Sequence, residues 1–285
     1  MMNTLKLGST GPEVVMLQRA LAFLNHSNIV ADGNFGPNTQ AAVVQFQTHN
    51  HLTADGVAGP NTWAVLDSQV PQGMDISHHD GQIDWANLSS HIQFVYCKCS
   101  QGATYRDPMF AANMAALSQK NIIRGAYHFL TFQDSAQAQI DNFMASGVDF
   151  SMPGTLPPAL DIEWQVGGSD AQTAALNQYI TNNKAACAQI ITQWLQGVQA
   201  ITNRTPVIYT AKGFWNEYFS GVTNFGAYPL WIPAYQPNPP GLPPGWNNYA
   251  IWQYSGGSPV IGAPGNVDQD LFNGGITGLK KLALL

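Results

Sequence analysis

The feature that most constrains the fold of this chain is an alternation of apolar, strand-like runs with helix-compatible stretches from residue 73 onward. Strands are predicted at residues 73–76, 94–98, 125–129, 159–163, 207–210, 230–234 and 250–254, and helices at 108–120, 136–146 and 171–200. Beyond residue 225 the intervening pieces are short and rich in Pro and Gly. This pattern predicts an α/β fold, a parallel barrel whose last strands are joined by loops.

Acidic residues mark the ends of several predicted strands. Asp161 and Glu163 lie two residues apart, so on a strand their side chains share a face. Asp75 ends the first predicted strand, and Asp268 follows a Gly-rich stretch. Functional residues of such barrels collect at the carboxyl ends of the strands. Two close carboxyls with little water cannot both ionise freely, so one is expected to keep a proton and act as a general acid.

Aromatic and polar residues at the same strand ends are candidates for substrate contact. These are Tyr127, His128, Tyr209, Trp231, Tyr235, Trp252 and Gln253. The alternatives are ordinary structural roles, namely core packing for the tryptophans, a hydrogen-bonded wall position for the histidine, and ion pairing or loop capping for the acids. The run His78-His79-Asp80 has a spacing that metal ligands can use, but adjacent histidines on a loop point apart. A polar loop lining the cleft is favoured, and no metal or cofactor is expected.

The first 67 residues contain an internal repeat. Residues 31–39 read ADGNFGPNT, and residues 54–62 read ADGVAGPNT. Asp-Gly favours a tight turn, Gly-Pro ends a loop, and Asn-Thr begins a helix. With apolar residues at helical spacing upstream, the pattern predicts a small three-helix all-α domain over residues 1–67. A short connector over residues 68–73 would then lead to the barrel over residues 74–285.

Composition and hydropathy limit the kinds of partner that the chain is expected to bind. The formal charge is −6 with only 11 Lys and Arg, which argues against nucleic acid because phosphate binding needs clustered cations. We expect no stable membrane insertion, since no run approaches the length of a span, and we expect residues 278–285 to form a terminal packing helix. The amino terminus lacks a secretory-type apolar run, so synthesis in the cytoplasm is expected. Cys97, Cys99 and Cys187 are interpreted as free core thiols.

The amino-terminal segment resembles the type 1 peptidoglycan-binding domain family. The resemblance rests on residues 7–14, on Leu17-Gln18 and on both Asp-Gly-x-x-Gly-Pro-x-Thr turns, and it covers essentially the whole segment. It implies a module that docks on the peptide stems of the bacterial cell wall.

Residues 73 to about 274 resemble glycoside hydrolase family 25, the lysozymes that cut between N-acetylmuramic acid and N-acetylglucosamine. The resemblance rests on an ordered set of blocks at residues 73–77, 94–98, 105–108, 125–129, 160–163, 206–210, 230–235, 251–255 and 266–268. It implies an irregular (β/α)5β3 barrel, which agrees with the helix-poor end of the chain.

The same resemblance assigns roles to individual residues. Glu163 matches the catalytic acid, Asp161 its neighbour, and Asp75 and Asp268 the other two acids of the cleft. Lys98 and Gln101 fall in a substrate-contacting block where the family usually has Glu in place of Gln101. The Asp-x-Glu pair is similar to that of hydrolases in which the sugar's 2-acetamido group is the nucleophile, so net retention by substrate assistance is favoured over direct attack by a carboxylate.

These features predict a monomeric muramidase that binds and cuts peptidoglycan. A phage endolysin, made in the host cytoplasm and released to the wall through a holin-type pore, is the favoured setting. The alternatives are an exported bacterial toxin with the same activity, a non-catalytic wall-binding protein that keeps the cleft, and a hydrolase of another aminosugar polymer such as chitin.

Overall fold

The computed structural model describes residues 4–24, 29–236 and 239–285 of the chain. The first three helices are α1 (Pro12–Phe23), α2 (Pro37–His49) and α3 (Pro60–Gln69). The strands are β1 (Gln72–Ile76), β2 (Ile92–Gln101), β3 (Tyr105–Arg106), β4 (Ile123–Phe129), β5 (Ala159–Asp161), β6 (Val207–Tyr209), β7 (Leu230–Pro233), β8 (Ile251–Pro259) and β9 (Asn266–Phe272). The later helices are α4 (Phe110–Gln119), α5 (Ala136–Met144), α6 (Asp170–Asn182), α7 (Lys184–Thr202), α8 (Lys212–Phe219) and α9 (Gly275–Leu282), and a 3-10 turn spans His78–Asp80.

The internal repeat builds two equivalent halves of the N-terminal three-helix bundle. The side-chain amide of Gln18 donates to the first turn at Asp32 Oδ1, at the Asn34 carbonyl and at Thr39 Oγ1. Gln47 makes the same three bonds to the second turn. Proline opens both of the following helices, where its missing N–H costs nothing. Each copy of the repeated turn is therefore held by a buried glutamine of the helix that precedes it.

Eight of the nine strands among the described residues close into a barrel, and the short β3 pairs only with β2. The order is β1-β9-β8-β7-β6-β5-β4-β2, and β1 pairs with β2 to complete the ring. Pairing is parallel from β1 through β2 to β8, whereas β9 runs antiparallel to both of its neighbours. Among the described residues, five strands are each followed by helical turns and three final strands have no helix between them. The predicted irregular (β/α)5β3 barrel after three helices is confirmed.

Side-chain alternation separates two apolar layers. On β2, Phe94 and Tyr96 fill the barrel interior, whereas Val95 and Cys97 face the surrounding helices. The rings of Phe94 and Tyr96 lie against glycines of β1 and β4, where an added Cβ would come within 2.5 Å of ring carbons. Leu279 of α9 joins the interior cluster, so the carboxyl-terminal helix packs as predicted. Among the described residues, none of the helices combines the length and the apolar composition that a membrane span needs.

One predicted element was wrong and one strand was missed. The single long helix predicted at residues 171–200 is divided into α6 and α7 at Asn183, whose side-chain amide donates to the Tyr179 carbonyl. Asparagine favours such local bonds over helix continuation. The last barrel strand, β9, was not predicted, because polar residues interrupt its apolar run. The three cysteines are free and buried, as predicted.

Candidate active site

The four predicted acids converge at one end of the barrel. Asp75 on β1 is the register partner of Asp268 on β9, and Asp161 ends β5. Glu163 lies just past β5, where Ile162 is buried against the helices, so that Asp161 and Glu163 both face the barrel axis. One pocket contains all four acids together with Tyr127, Tyr209, Trp231 and Gln253.

Gln253 of β8 organises the polar side of this pocket. Its side-chain oxygen accepts hydrogen bonds from the hydroxyls of Tyr209 and Tyr235, each at 2.9 Å. Its side-chain amide donates to Asp75 Oδ2 at 2.8 Å and to Asp268 Oδ2 at 3.3 Å. The two tyrosines fix which end of the amide faces the acids, and the amide in turn orients two carboxyls.

Burial and charge set the protonation of the acid pair. Burial raises the pKa of Glu163 to about 7, with the Lys98 ammonium acting to lower it and Asp268 to raise it. The pKa of Asp161 also lies well above its ordinary value because of burial and the nearby charge of Glu163. The pair therefore keeps a proton at neutral pH, and Glu163 is placed to donate it.

Lys98 is the cation that faces these acids. It is buried on β2, and its ammonium donates to Gln101 Oε1 at 2.8 Å. Gln101 is neutral, so it satisfies the ammonium without cancelling its charge. That charge remains available to Asp161 and Glu163, whose ionised forms it favours.

Trp231 forms the floor of the pocket. Its ring stacks on Tyr96 below, with centroids 4.9 Å apart, and is flanked edge-on by Tyr209 and Tyr127. Its indole N–H donates to Asp270 Oδ1 at 2.8 Å. The ring is nearly fully buried, so it can meet a sugar only across the pocket floor.

Two predicted contact residues lie elsewhere, which corrects the sequence-based assignment. His128 is fully buried behind β4, where it bonds Ser100 and Gln139. Trp252 faces outward from β8 into the apolar cluster of the N-terminal bundle. Each is the strand neighbour of a residue that does line the pocket, and neighbours on a strand point to opposite faces.

The structure also adds two residues that sequence reasoning missed. Asp270 is fully buried beneath Asp75, and burial raises its pKa well above the ordinary range. Its alternation with Asp268 along one strand was the available signal. Trp164 follows Glu163 and is 39% exposed, with its indole N–H bonded to Glu217. An exposed ring beside Glu163 is suited to stacking on a ligand at the pocket mouth.

The run His78-His79-Asp80 after β1, whose spacing metal ligands can use, is held by hydrogen bonds within the protein. His78 Nδ1 lies 2.8 Å from Asp107 Oδ2, and Ser77 with Asp80 forms a capping box around the turn. No cluster of potential metal ligands occurs among the residues that the structure describes.

This arrangement has the parts needed to break a glycosidic bond. A protonated carboxyl can protonate the leaving oxygen, and further carboxyls can stabilise the positive charge that develops at the anomeric carbon. Aromatic rings and a fixed amide border the same space. The fold and the site define a glycoside hydrolase.

The chain matches the family model "Glycosyl hydrolases family 25" over residues 74–263, more than half of its length. Residues 10–66 match the model of a peptidoglycan binding domain. The chain therefore belongs to glycosyl hydrolases family 25 and carries an N-terminal peptidoglycan-binding domain.

Comparisons with related proteins and with solved structures support the same family assignment. The chain is 34% identical over 221 residues to Lysozyme M1 of Streptomyces globisporus, covering 76% of this chain and 72% of that protein. It is 32% identical over 220 residues to the N,O-diacetylmuramidase of Chalaropsis sp, covering 74% and 98% respectively. The crystal structure of the bacterial lysozyme from Streptomyces coelicolor is similar, with a TM-score of 0.67 and 33% identity over 74% of this chain and 96% of that one. The chain is a peptidoglycan hydrolase of the lysozyme (muramidase) class.

The pKa values predict a narrow, bell-shaped dependence of kcat/KM on pH. Activity should fall above the pKa of Glu163, about 7, because its proton is lost. It should also fall at lower pH as the pocket carboxyls Asp268 and Asp75 become neutral, because burial and Asp80 raise the pKa of Asp268 to about 6 and burial raises the pKa of Asp75. Lys98→Met should move the alkaline limb to higher pH, since the ammonium lowers the pKa of Glu163.

Initial rates across the pH range measure both limbs, and Lys98→Arg serves as the charge-preserving control. If the alkaline limb does not move in Lys98→Met, that limb does not report the ionisation of Glu163.

Proposed function

We propose that the enzyme hydrolyses the β-1,4 bond between N-acetylmuramic acid and N-acetylglucosamine with net retention, and that the 2-acetamido group of the substrate is the nucleophile. Glu163 protonates the leaving oxygen. Asp161 orients and stabilises the acetamido N–H, and Asp75 and Asp268 stabilise the developing positive charge.

The observation that carries this proposal is the unpaired oxygen of Asp161. Its Oδ1 is buried and has no hydrogen-bond partner among the described residues. A buried acceptor without a partner is costly, and an incoming N–H would relieve that cost. An acetamido N–H is a donor that this substrate provides next to its anomeric carbon.

The stereochemistry of the product tests the proposal. Substrate assistance involves two displacements at the anomeric carbon, so a β-linked glycan should first release the β-anomer of the new muramic acid end. Proton NMR of a short peptidoglycan oligosaccharide, recorded before mutarotation, distinguishes the anomers. Initial release of the α-anomer would overturn retention, and the absence of new muramic acid reducing ends would overturn the bond assignment.

We propose further that the N-terminal bundle docks on the peptide stems. A depression of about 390 Å³ on its surface supports this role, and it is lined by Gln47, Leu52, Thr53, Asp55, Val57, Gly59, Pro60, Asn61 and Thr62. Most of these residues belong to the second repeat turn. The mixture of apolar walls and amide or hydroxyl groups suits a short peptide.

The setting that we propose is a monomeric endolysin, made in the cytoplasm of a bacterial host and released to the wall. The pairing of a wall-binding module with a muramidase supports action on the wall. Expression in bacteria should therefore cause lysis only when a holin-type pore is co-expressed, and lysis without the pore would contradict this release route.

A further inference from the structure

The N-terminal bundle covers a face of the barrel that has no helix of its own. Among the described residues, no helix separates β7, β8 and β9. Trp252, Tyr254 and Leu271 point outward from β8 and β9 and are buried in one apolar cluster with bundle residues that include Leu17. In return, Met16 of α1 is buried in the cluster outside the barrel. The bundle occupies the place that a barrel helix occupies elsewhere.

The connection between the two parts is short and reinforced. Only residues 70 and 71 separate α3 from β1. On the barrel side, His91 is fully buried, with Nδ1 2.9 Å from Asp67 Oδ2 and its ring stacked on Trp63 at 3.7 Å. A module tethered by a flexible linker would show none of these contacts. The bundle and the barrel form one continuous packed unit.

Helix α1 also contacts residues 234–236, which follow β7 and are called the Tyr235 loop here. The Arg19 guanidinium donates to the Gln236 carbonyl at 3.5 Å. The indole N–H of Trp252 donates to the Ala234 carbonyl at 2.8 Å, and the Trp252 ring lies 6.3 Å from that of Phe23 in α1. The Ala234 carbonyl is therefore held by a tryptophan that α1 covers, and the Gln236 carbonyl accepts a long, solvent-exposed hydrogen bond from α1 itself.

Tyr235 carries this constraint into the active site. Tyr235 is 61% exposed, and its contacts inside the pocket are on one side of the ring. Its ring lies over Gly256, where an added Cβ would come within 2.5 Å of the ring. Its hydroxyl donates to Gln253, whose amide donates to Asp75 and Asp268.

We propose that α1 of the peptidoglycan-binding bundle is a positioning element of the active site, in which Arg19 and Phe23 hold the Tyr235 loop and thereby align Gln253 with Asp75 and Asp268. The inference rests on the roles proposed above for these two acids. The bundle then contributes to turnover itself, beyond raising the local concentration of the enzyme on the wall.

The test is the double variant Arg19→Met/Phe23→Ala in the full chain, assayed on a short soluble peptidoglycan oligosaccharide without stem peptides. Wall affinity does not enter this assay, so a simple anchor predicts no change. We expect kcat to fall about tenfold with KM changed less than about twofold, because small misplacements of catalytic groups cost rate. Arg19→Lys/Phe23→Leu should restore most of the loss.

The matched control is Gln40→Met/Val44→Ala. These residues lie on α2 and pack against the Gly56 turn, so the control also replaces one polar side chain and truncates one apolar side chain of the bundle. It should keep kcat on the soluble substrate within about twofold of wild type. Circular dichroism and thermal melts verify that both doubles are folded at the assay temperature.

The pH profile provides a readout that partial unfolding would not move. The Gln253 amide lowers the pKa of Asp75, against burial and the neighbouring carboxyls Asp270, Asp268 and Asp80. A misaligned amide should therefore raise the pKa of Asp75. Because the proposed mechanism needs both Asp75 and Asp268 ionised, the acid limb of the interface variant should shift to higher pH. An unchanged kcat and an unchanged acid limb in Arg19→Met/Phe23→Ala would overturn the inference, whereas loss of turnover in wild type would instead overturn the proposed function.

Discussion

Glu163→Gln is expected to lose about a thousandfold or more in kcat on peptidoglycan, within the range measured for loss of a general acid. Glutamine keeps the size and the hydrogen-bonding oxygen of the side chain but has no proton to give to the leaving oxygen. Burial is what keeps that proton on Glu163 up to about pH 7 in the wild type. The measurement is the rate of release of new reducing muramic acid ends.

Substrates with different leaving groups distinguish an acid role of Glu163 from a purely structural role. An aryl glycoside with a good leaving group needs little protonation, so Glu163→Gln should lose far less on that substrate than on peptidoglycan. An equal loss on both substrates, or near wild-type lysis of walls, would remove Glu163 from the acid role.

The same variant reports on the bundle, because it binds walls without cutting them. It should pellet with intact walls and pellet much less with walls whose stem peptides have been removed by an amidase. Equal pelleting with both would contradict recognition of the stems by the depression on the second repeat turn.

Much of the barrel can be predicted from the sequence because strand-like runs alternate regularly with helix-compatible stretches. Asp161 and Glu163 face the pocket as their spacing predicts, although β5 itself ends at Asp161. The same period-two rule excludes two of the predicted contacts. Because Gln253 points into the barrel, its strand neighbour Trp252 points outward. In the same way, Tyr127 points into the barrel and its neighbour His128 points outward.

Other features depend on pairings far apart in the chain. Strand β9 is hard to recognise because Asp268 and Asp270 face the barrel axis while Gln269 faces outward and bonds Tyr254. Only closure of the barrel shows that the two aspartates lie beside Asp75. Nothing local in the sequence indicates that a wall-binding bundle covers β8, because that contact is fixed by tertiary packing.

Asp161→Asn is expected to lower kcat about a hundredfold or more, the scale on which a single electrostatic contact to a reacting group acts. Asparagine can still accept the acetamido N–H, but it carries no negative charge to stabilise the cation that forms as the acetamido oxygen attacks. The wild-type carboxyl is placed for this role because its buried Oδ1 has no partner among the described residues.

The decisive measurement pairs this variant with a substrate that has a hydroxyl in place of the 2-acetamido group. If Asp161 acts through the acetamido group, the two changes remove one interaction, so Asp161→Asn should reduce the rate on the hydroxyl substrate by less than about threefold. Aryl glycosides serve in both arms, so that protonation by Glu163 does not limit the comparison. A direct nucleophile would behave differently, since Asp161→Asn would then cause the same large loss on both substrates. Multiplicative losses would therefore exclude the acetamido-orienting role and favour attack by the carboxylate.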